Sequence, residues 1–221
     1  LVGPRILDYV RRDAALIDAG KARGDHRMGQ DEINQTIVRH AKAGHRVVRL
    51  KGGDPFIFGR GGEELDALRA HGIEAEIVPG ITAALGCAAI AGIPLTHRDH
   101  ARTVTLVTGE GRDGALEADW RAVARGGHTV VVYMGIANAG RIAEQLINHG
   151  RDAATPIAVI ENGSLPEQRV LAGRLDGLGA LMADEAVTSP ALVVIGDVAA
   201  YAKTHELGDT SAQDFTTLAI G

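Results

Sequence analysis

The sequence predicts an α/β protein, because short apolar segments alternate with helical segments along most of the chain. Three runs, VVRL, TVVVYM and ALVVIG, are apolar on both faces, as in strands that lie inside a sheet. A polar segment with a proline, GIPLTHRDHAR at 92–102, separates two regular halves. We therefore expect two α/β domains, residues 1–98 and residues 99–221.

The first domain is predicted to contain three helices and two strands. Its first helix is the clearest, because Ile33, Ile37 and Ala41 recur at the spacing of one helical face. Gly72 is expected to end the second helix. In chain order, the predicted elements are a helix at 31–42, a strand at 46–50, a helix at 62–71, a strand at 73–78 and a helix at 82–91.

The second domain is predicted to alternate in the same way. Its tail after Val198 becomes polar and is expected to be loosely held. In chain order, the predicted elements are a strand at 103–108, a helix at 119–124, a strand at 128–134, a helix at 139–149, a strand at 156–160, a further segment at 168–175, a short helix that reaches residue 182 and a strand at 191–195.

The composition argues against several classes of protein. Apolar residues make up 45% of the 221 residues, which is enough for an ordinary core. A net charge of −5 argues against binding nucleic acid through bulk positive charge. No apolar run approaches the length of a membrane span, and charges interrupt the first residues, unlike in a signal peptide. The single cysteine, Cys87, lies in an apolar run, which favours a buried thiol in a reducing cytoplasm.

Four glycine-rich or polar turns follow predicted strands, and they are the main indication of a binding site. They are GGDPFIFGRGG from Gly52, PGITAA from Pro79, YMG from Tyr133 and ENGS from Glu161. One such turn is ordinary, but four of them spread over two domains indicate a ligand held between the domains.

The first of these turns does not fit a phosphate loop. The sequence lacks GxxxxGK[ST], and Lys51 precedes the glycines instead of following them. Asp54 would repel a phosphate, whereas a carboxylate suits ribose hydroxyls or an ammonium group. The alternative is that Asp54 and Pro55 only form the turn.

Basic side chains near the turns predict an anionic substrate with several carboxylates, unless they are ordinary surface charges. They are Lys21, Arg49, Lys51, Arg60, Arg98 and Arg102. His97 and His100 form a conceivable metal pair, but no further ligands stand at metal spacing, so no metal is expected. GxSxG is absent, which argues against a hydrolase.

Longer motifs resemble those of the uroporphyrinogen-III C-methyltransferases, which include the methyltransferase half of sirohaem synthase. The two longest are VVRLKGGDPFIFGRGGEEL from Val47 and VPGITAALGCAAIAGIPLTHRDHA from Val78. Others are GKARGDH, QDEIN, VVYMG, ENGSLPEQRV and SPALVVIG, in the family's order from Leu1 to about Val198. Methylases of later precorrins and diphthine synthase carry a looser version of the first motif.

The resemblance implies a two-domain α/β fold, a homodimer, and S-adenosylmethionine in a cleft between the domains. It implies transfer of two methyl groups to pyrrole carbons of uroporphyrinogen III, giving precorrin-2 and S-adenosylhomocysteine. Lys21 matches a family lysine proposed as a proton donor. The basic residues expected near the substrate are Arg49, Lys51, Arg60 and Arg98. The residues implied to contact the cofactor are Gly52, Gly53, Asp54, Ile57, Thr82, Ala83, Met134, Gly163 and Ala191.

The chain departs from the family at its start. Family members begin with a strand, a GxGPGDP loop and a YDRLV segment, whereas this chain starts at the LV of the last motif. We therefore expect an N-terminally truncated member that binds S-adenosylhomocysteine weakly and turns over slowly or not at all. Two alternatives are another precorrin methyltransferase and a non-catalytic family member that acts as a binding or dimer scaffold.

Overall fold

The computed structural model describes residues 2–20, 28–111 and 115–203 of the chain. The chain divides into two compact units, Leu1–Ala83 and Ala84–Gly221. These units differ in extent from the predicted domains, residues 1–98 and 99–221, and the predicted boundary stays a prediction.

The described part of the first unit contains a 3₁₀ helix, Pro4–Tyr9, and two α-helices, α1 (Gln30–Lys42) and α2 (Gly61–Arg69). α1 and α2 pack against each other, and α1 buries Ile33 on the predicted apolar face. Gly72 follows α2 with a φ of +68°, the left-handed conformation that commonly ends a helix. Both helices predicted for this part of the chain are therefore confirmed.

The strands predicted at 46–50 and 73–78 are wrong. Neither segment forms a ladder with another described segment. A strand requires hydrogen bonds to a neighbouring strand, and an apolar sequence does not by itself supply that neighbour. The exposed fractions of Val48 and Val78 are 79% and 72%. The composition of VVRL had predicted a strand buried on both faces, and this prediction is therefore wrong.

The second unit is built on a five-stranded mixed sheet with strand order β1-β2-β5-β3-β4. β1 and β2 are parallel, β5 is antiparallel to both β2 and β3, and β4 is antiparallel to β3. The strands are β1 (Val104–Thr108), β2 (Thr129–Tyr133), β3 (Pro156–Glu161), β4 (Arg169–Arg174) and β5 (Ala191–Ile195). The predicted α/β class is confirmed, and this sheet carries it.

The helices around this sheet are short, and they lie close to the predicted bounds. None of the helices in the described ranges has the length and apolar character that crossing a membrane requires. The α-helices are α3 (Ala83–Ile90), α4 (Trp120–Val123), α5 (Ala139–Asn148) and α6 (Leu178–Asp184), and 3₁₀ helices lie at Ile136–Asn138, Leu175–Gly177 and Asp197–Tyr201.

The core of the second unit is formed by the sheet together with α5 and α6. Ile142 and Leu146 lie one turn apart on α5, and both are almost fully buried, as is Leu178 of α6. They pack in one cluster with Val132 and Val159 of the sheet. Consecutive residues of β2, β3 and β5 are buried, so both faces of these strands are covered, as TVVVYM and ALVVIG predicted.

One edge of the sheet collects the ends of several strands. β2 ends at Tyr133 opposite Leu192 of β5, and β3 ends at Glu161 opposite Ala191 of β5. β4 begins at Arg169, on the other side of Glu161. The connections at these points therefore lie along the same edge. We call this edge the turn edge, and it comprises residues 134–135, 162–164 and 188–190.

Candidate functional site

In the first unit, Asp54 joins two of the predicted turns. Its Oδ2 accepts a hydrogen bond from the amide of Gly80 at 3.0 Å, and its Oδ1 accepts one from the amide of Phe56 at 2.9 Å. The amide of Gly80, and then that of Phe56, hold the pKa of Asp54 below its ordinary value. Carboxylate oxygens can each accept more than one hydrogen bond, so this structural role leaves capacity for a ligand.

Two glycines allow these turns to meet backbone to backbone. A Cβ on Gly80 would overlap the carbonyl oxygen of Gly53. At Gly53 the backbone favours glycine through a φ of +78°, whereas an added Cβ would only be in ordinary contact, 3.7 Å from the carbonyl oxygen of Ile81. The predicted cofactor residues that these contacts bring together are Gly53, Asp54, Thr82 and Ala83.

The loop after Asp54 presents apolar side chains at its surface. Phe56, Ile57 and Phe58 are all exposed. Phe58 and Arg60 have φ values of +52° and +57°, a conformation that is unfavourable for residues with a Cβ. Such conformations persist where the surrounding structure fixes them, and they are common at ligand sites. Gly52 and Ile57, also predicted to contact the cofactor, belong to this same loop.

Most of the basic residues predicted to bind the substrate are engaged in ion pairs. Glu64 of α2 accepts hydrogen bonds from Arg49 Nε and Lys51 Nζ, each at 3.0 Å. Glu64 is 6% exposed, so its carboxylate balances two cations inside the first unit. Arg60 pairs with Glu63 at 2.6 Å on the surface. Arg49, Lys51 and Arg60 therefore have charged partners within the protein itself. Their role in binding the substrate stays a prediction.

In the second unit, Met134, Gly163 and Ala191 all lie on or beside the turn edge. Met134 follows β2 with a φ of +52° and a side chain that is 47% exposed. Gly163 lies in the turn after β3, and Ala191 begins β5 opposite Glu161. The structure thus collects the predicted cofactor residues into one group in each unit. The predicted cleft between the domains stays a prediction.

Helix α3 packs directly on the turn edge. A Cβ on Gly163 would overlap Sγ of Cys87, so the packing of the helix requires a glycine there. The hydroxyl of Tyr133 accepts a hydrogen bond from the amide of Ala84 at 2.8 Å, at the first turn of α3. Cys87 is partly buried and not fully buried as predicted. This burial raises the pKa of its thiol, which disfavours the reactive thiolate.

The turn edge also holds a buried carboxylate that was not among the residues predicted from the sequence. Glu161 is 3% exposed; its Oε2 accepts from Arg169 Nε at 2.6 Å, and its Oε1 accepts from the amide and the hydroxyl of Thr188, both at 2.7 Å. Burial raises the pKa of Glu161, but the bonds from Arg169 and Thr188 outweigh burial and bring the pKa below its ordinary value. Glu161 is the first residue of the ENGS motif, but the sequence does not show that Arg169 and Thr188 are its hydrogen-bond partners.

Arg98 lies near the opposite edge of the sheet. Thr129, the first residue of β2, donates its hydroxyl to the carbonyl of Leu95 at 2.8 Å and its amide to the carbonyl of Thr103 at 3.0 Å. The segment between them therefore borders the start of β2, away from the turn edge, and forms part of an open pocket. That pocket is lined by Arg98, Asp99, His100, Ala101, Arg102 and Gly127.

Two further predictions concern Lys21 and metals. Lys21, the predicted proton donor, lies outside the described residues. Within residues 2–20, 28–111 and 115–203, no three His, Cys, Asp or Glu side chains converge on a common metal position. The rings of His97 and His100 instead pack against each other, with centroids 4.7 Å apart, and both contact the ring of Tyr201.

The chain matches known proteins over most of its length. A family model described as Tetrapyrrole (Corrin/Porphyrin) Methylases matches residues 2–179. Siroheme synthase of Pseudomonas aeruginosa is 54% identical over 198 residues, which cover 90% of this chain and 43% of that protein. Siroheme synthase of Sodalis glossinidius is 56% identical over 200 residues, with coverages of 90% and 42%. The chain thus spans about two fifths of the length of the curated relatives that it matches.

Solved structures agree with the sequence matches. Uroporphyrin-III C-methyltransferase from Thermus thermophilus, in complex with S-adenosyl homocysteine, superposes with a TM-score of 0.67 at 42% identity, covering 76% of this chain and 74% of that one. A cobalt precorrin-4 methyltransferase superposes with a TM-score of 0.70 at 26% identity, with coverages of 78% and 72%. The family resemblance that the motifs indicated is confirmed. This chain belongs to the tetrapyrrole (corrin/porphyrin) methylases.

Proposed function

We propose that this chain carries out S-adenosylmethionine-dependent methylation of uroporphyrinogen III at two pyrrole carbons, which gives precorrin-2. The observation that carries the proposal is the 42% identity to the Thermus thermophilus uroporphyrin-III C-methyltransferase, which was solved with S-adenosyl homocysteine. The siroheme synthase relatives support a role in sirohaem formation.

The residues present fit S-adenosylmethionine. A ligand with an adenine ring, ribose hydroxyls and an amino-acid group needs exposed apolar surface beside polar backbone and carboxylate groups. Ile57 in the first unit and Met134 in the second offer exposed apolar side chains, and Asp54 offers a carboxylate. The residues that we propose as cofactor contacts are Gly52, Gly53, Asp54, Ile57, Thr82, Ala83, Met134, Gly163 and Ala191.

The protein has two tasks in such a reaction. When bound, the cofactor supplies a methyl group activated on a sulfonium centre. Because the pyrrole of a reduced tetrapyrrole is electron-rich, the protein must mainly hold its carbon in line with that methyl group, at about 3–3.5 Å. Transfer of the methyl group as a cation leaves the ring system positively charged, so a proton must be removed from it after methylation. From the family resemblance we propose a separate role for Lys21, as a proton donor, so Lys21→Ala should lower kcat more than it raises KM.

Of the four basic residues proposed to meet the substrate carboxylates, Arg98 is the one that is not already paired with a carboxylate within the described residues, although it lies by the start of β2, away from the turn edge. Arg49, Lys51 and Arg60 already pair with glutamates. Within the described part of the chain, Arg98 makes no ion pair, and it shares its pocket with Arg102 and one carboxylate, Asp99. Guanidinium groups bind carboxylates through paired hydrogen bonds. Arg98→Ala should therefore raise KM for the tetrapyrrole and leave the affinity for S-adenosylhomocysteine unchanged.

Anaerobic incubation with uroporphyrinogen III and S-adenosylmethionine, followed by mass analysis of the product, tests the proposal. We expect two added methyl groups, and the rate at which they form tests the slow turnover expected from the sequence. Turnover only of a later precorrin would instead favour another precorrin methyltransferase, the second candidate, for which the likeness to the cobalt precorrin-4 methyltransferase is the supporting observation. No binding of S-adenosylhomocysteine at millimolar concentration would favour a non-catalytic scaffold.

We also propose that the protein is a homodimer of the cytoplasm. The support for the dimer is the resemblance to the family, and the support for the compartment is the single cysteine in 221 residues. Sedimentation equilibrium of the purified protein tests the first proposal, since a mass equal to that of one chain at micromolar concentration would contradict it. Fractionation of the source cells tests the second.

A further inference from the structure

The turn edge contains a charged network that fixes three separate stretches of chain. Glu161, at the end of β3, binds Arg169 at the start of β4 and Thr188 ahead of β5. Arg169 also donates to the carbonyl of Glu185 at 3.0 Å. One buried carboxylate thus links the segment before β5 to the strand pair β3–β4.

The same network borders a turn with an unfavourable backbone. Asn162 and Ser164 have φ values of +51° and +68°. The amide of Asn162 donates to the carbonyl of Pro190 at 2.9 Å, and the amide of Ser164 donates to Oε1 of Gln168 at 2.8 Å. Left-handed residues with a side chain persist only where their surroundings determine them. Here the determining groups are the side chain of Gln168 and the segment that Glu161 holds through Thr188.

Burying an ionised carboxylate costs desolvation free energy, which its partners must offset. Replacing a buried ion pair with apolar residues is often neutral or stabilising, so stability alone does not account for such a pair. What Glu161 provides is a fixed geometry. Its two oxygens accept three hydrogen bonds, and the groups that it orients flank Gly163 on one side and Ala191 on the other.

We propose that Glu161 is a positioning residue for cofactor binding, acting through Thr188 and Arg169 on the backbone at 162–164 and 188–191. This inference rests on the proposed function, since it concerns the same site. Glu161 does not itself touch the cofactor in this proposal. It sets the spacing of the two backbone stretches that bear Gly163 and Ala191.

Glu161→Gln tests the proposal because it keeps the shape of the side chain. Both oxygens of Glu161 accept hydrogen bonds, so either orientation of the glutamine amide points its NH₂ at a donor. We expect the Kd for S-adenosylhomocysteine, measured by titration calorimetry well below the unfolding temperature, to rise roughly ten-fold. The binding stoichiometry should not change. A role in stability alone would lower the stoichiometry, through unfolded protein, and leave the Kd of the folded fraction unaltered.

Thr188 provides a second, milder pair of variants should Glu161→Gln fail to fold. Thr188→Ser keeps both donors to Glu161 and should bind like the wild type. Thr188→Val removes only the hydroxyl and should raise the Kd. Asp176→Asn is the matched control, because it breaks the exposed pair between Arg174 and Asp176 at the other end of β4; its Kd should be that of the wild type.

The outcomes separate this proposal from the function on which it rests. Wild-type protein that does not bind S-adenosylhomocysteine would overturn both. Wild-type protein that binds, together with Glu161→Gln and Thr188→Val proteins of unchanged Kd, would overturn only the positioning role, even if both variants melt at lower temperature.

Discussion

Gly163→Ala should destabilise the second unit through one defined contact. The added methyl would overlap Sγ of Cys87 and lie 3.0 Å from its Cβ. Gly163 does not have a positive φ, so the cost comes from packing and not from backbone strain. Overpacking a well-packed site costs about 1–3 kcal/mol. For a chain of this length, each kcal/mol lowers the unfolding temperature by about 2–4 °C, so a cost of about 2 kcal/mol predicts a decrease of about 6 °C.

A double-mutant cycle with Cys87→Ala shows whether this contact is the cause. Removing Sγ should relieve most of the clash, so the double variant should be more stable than the sum of the single effects predicts, by about 1 kcal/mol or more. Thermal unfolding followed by circular dichroism measures each variant. Gly177→Ala is the control, because nothing lies within 4 Å of its added Cβ. An unchanged melting temperature for Gly163→Ala, or strict additivity with Cys87→Ala, would refute the packing argument.

Three further predictions follow from other contacts. Glu64→Gln should destabilise the first unit by about 3 kcal/mol in urea unfolding, because Arg49 and Lys51 lose the carboxylate that balances their charges. The control is Asp66→Asn, which removes a carboxylate from an exposed ion pair and should cost less than about 0.5 kcal/mol. Equal effects of the two substitutions would contradict the argument. The folded-state pKa of Glu161 lies below its ordinary value of 4.5, so the stability that its ionisation adds is present above the unfolded-state pKa and is lost as the pH falls through the folded-state pKa. The unfolding free energies of the wild type and Glu161→Gln should therefore converge in acid, and a difference that is independent of pH would be inconsistent with this. Gly80→Ala should push the two first-unit turns apart and weaken binding of S-adenosylhomocysteine several-fold in calorimetry, while normal affinity would remove this pair of turns from the site.

The sequence predicted the second unit well because its strands carry their own signature. TVVVYM and ALVVIG are apolar at consecutive positions, and β2 and β5 are buried on both faces. VVRL has a similar composition, but Val48 is largely exposed. The difference lies in the neighbours: a local pattern reports how apolar a segment is, and not whether another strand is available to pair with it.

Only part of the site could be predicted from the sequence, and the reason is related. Glycine-rich turns at strand ends identified the loop around Asp54 and the turn around Gly163, because such turns are visible in the sequence. The partners of these residues were not visible. Nothing local links Glu161 to Thr188, or Gly163 to Cys87, and both contacts exist only once the register of the sheet and the place of α3 are known.

The position of β5 has a consequence for how the sheet forms. β5 is the last of the strands in the described residues, yet it lies between β2 and β3. Within the described residues, Ala191–Ile195 is the strand that joins the parallel pair β1–β2 to the hairpin β3–β4. On the ribosome, most of the second unit must therefore emerge before its central strand is available. Strand pairings between residues far apart in sequence form slowly. Until β5 pairs with them, β2 and β3 each expose an unpaired apolar edge. Such edges favour aggregation, so chaperones would be needed most during this interval.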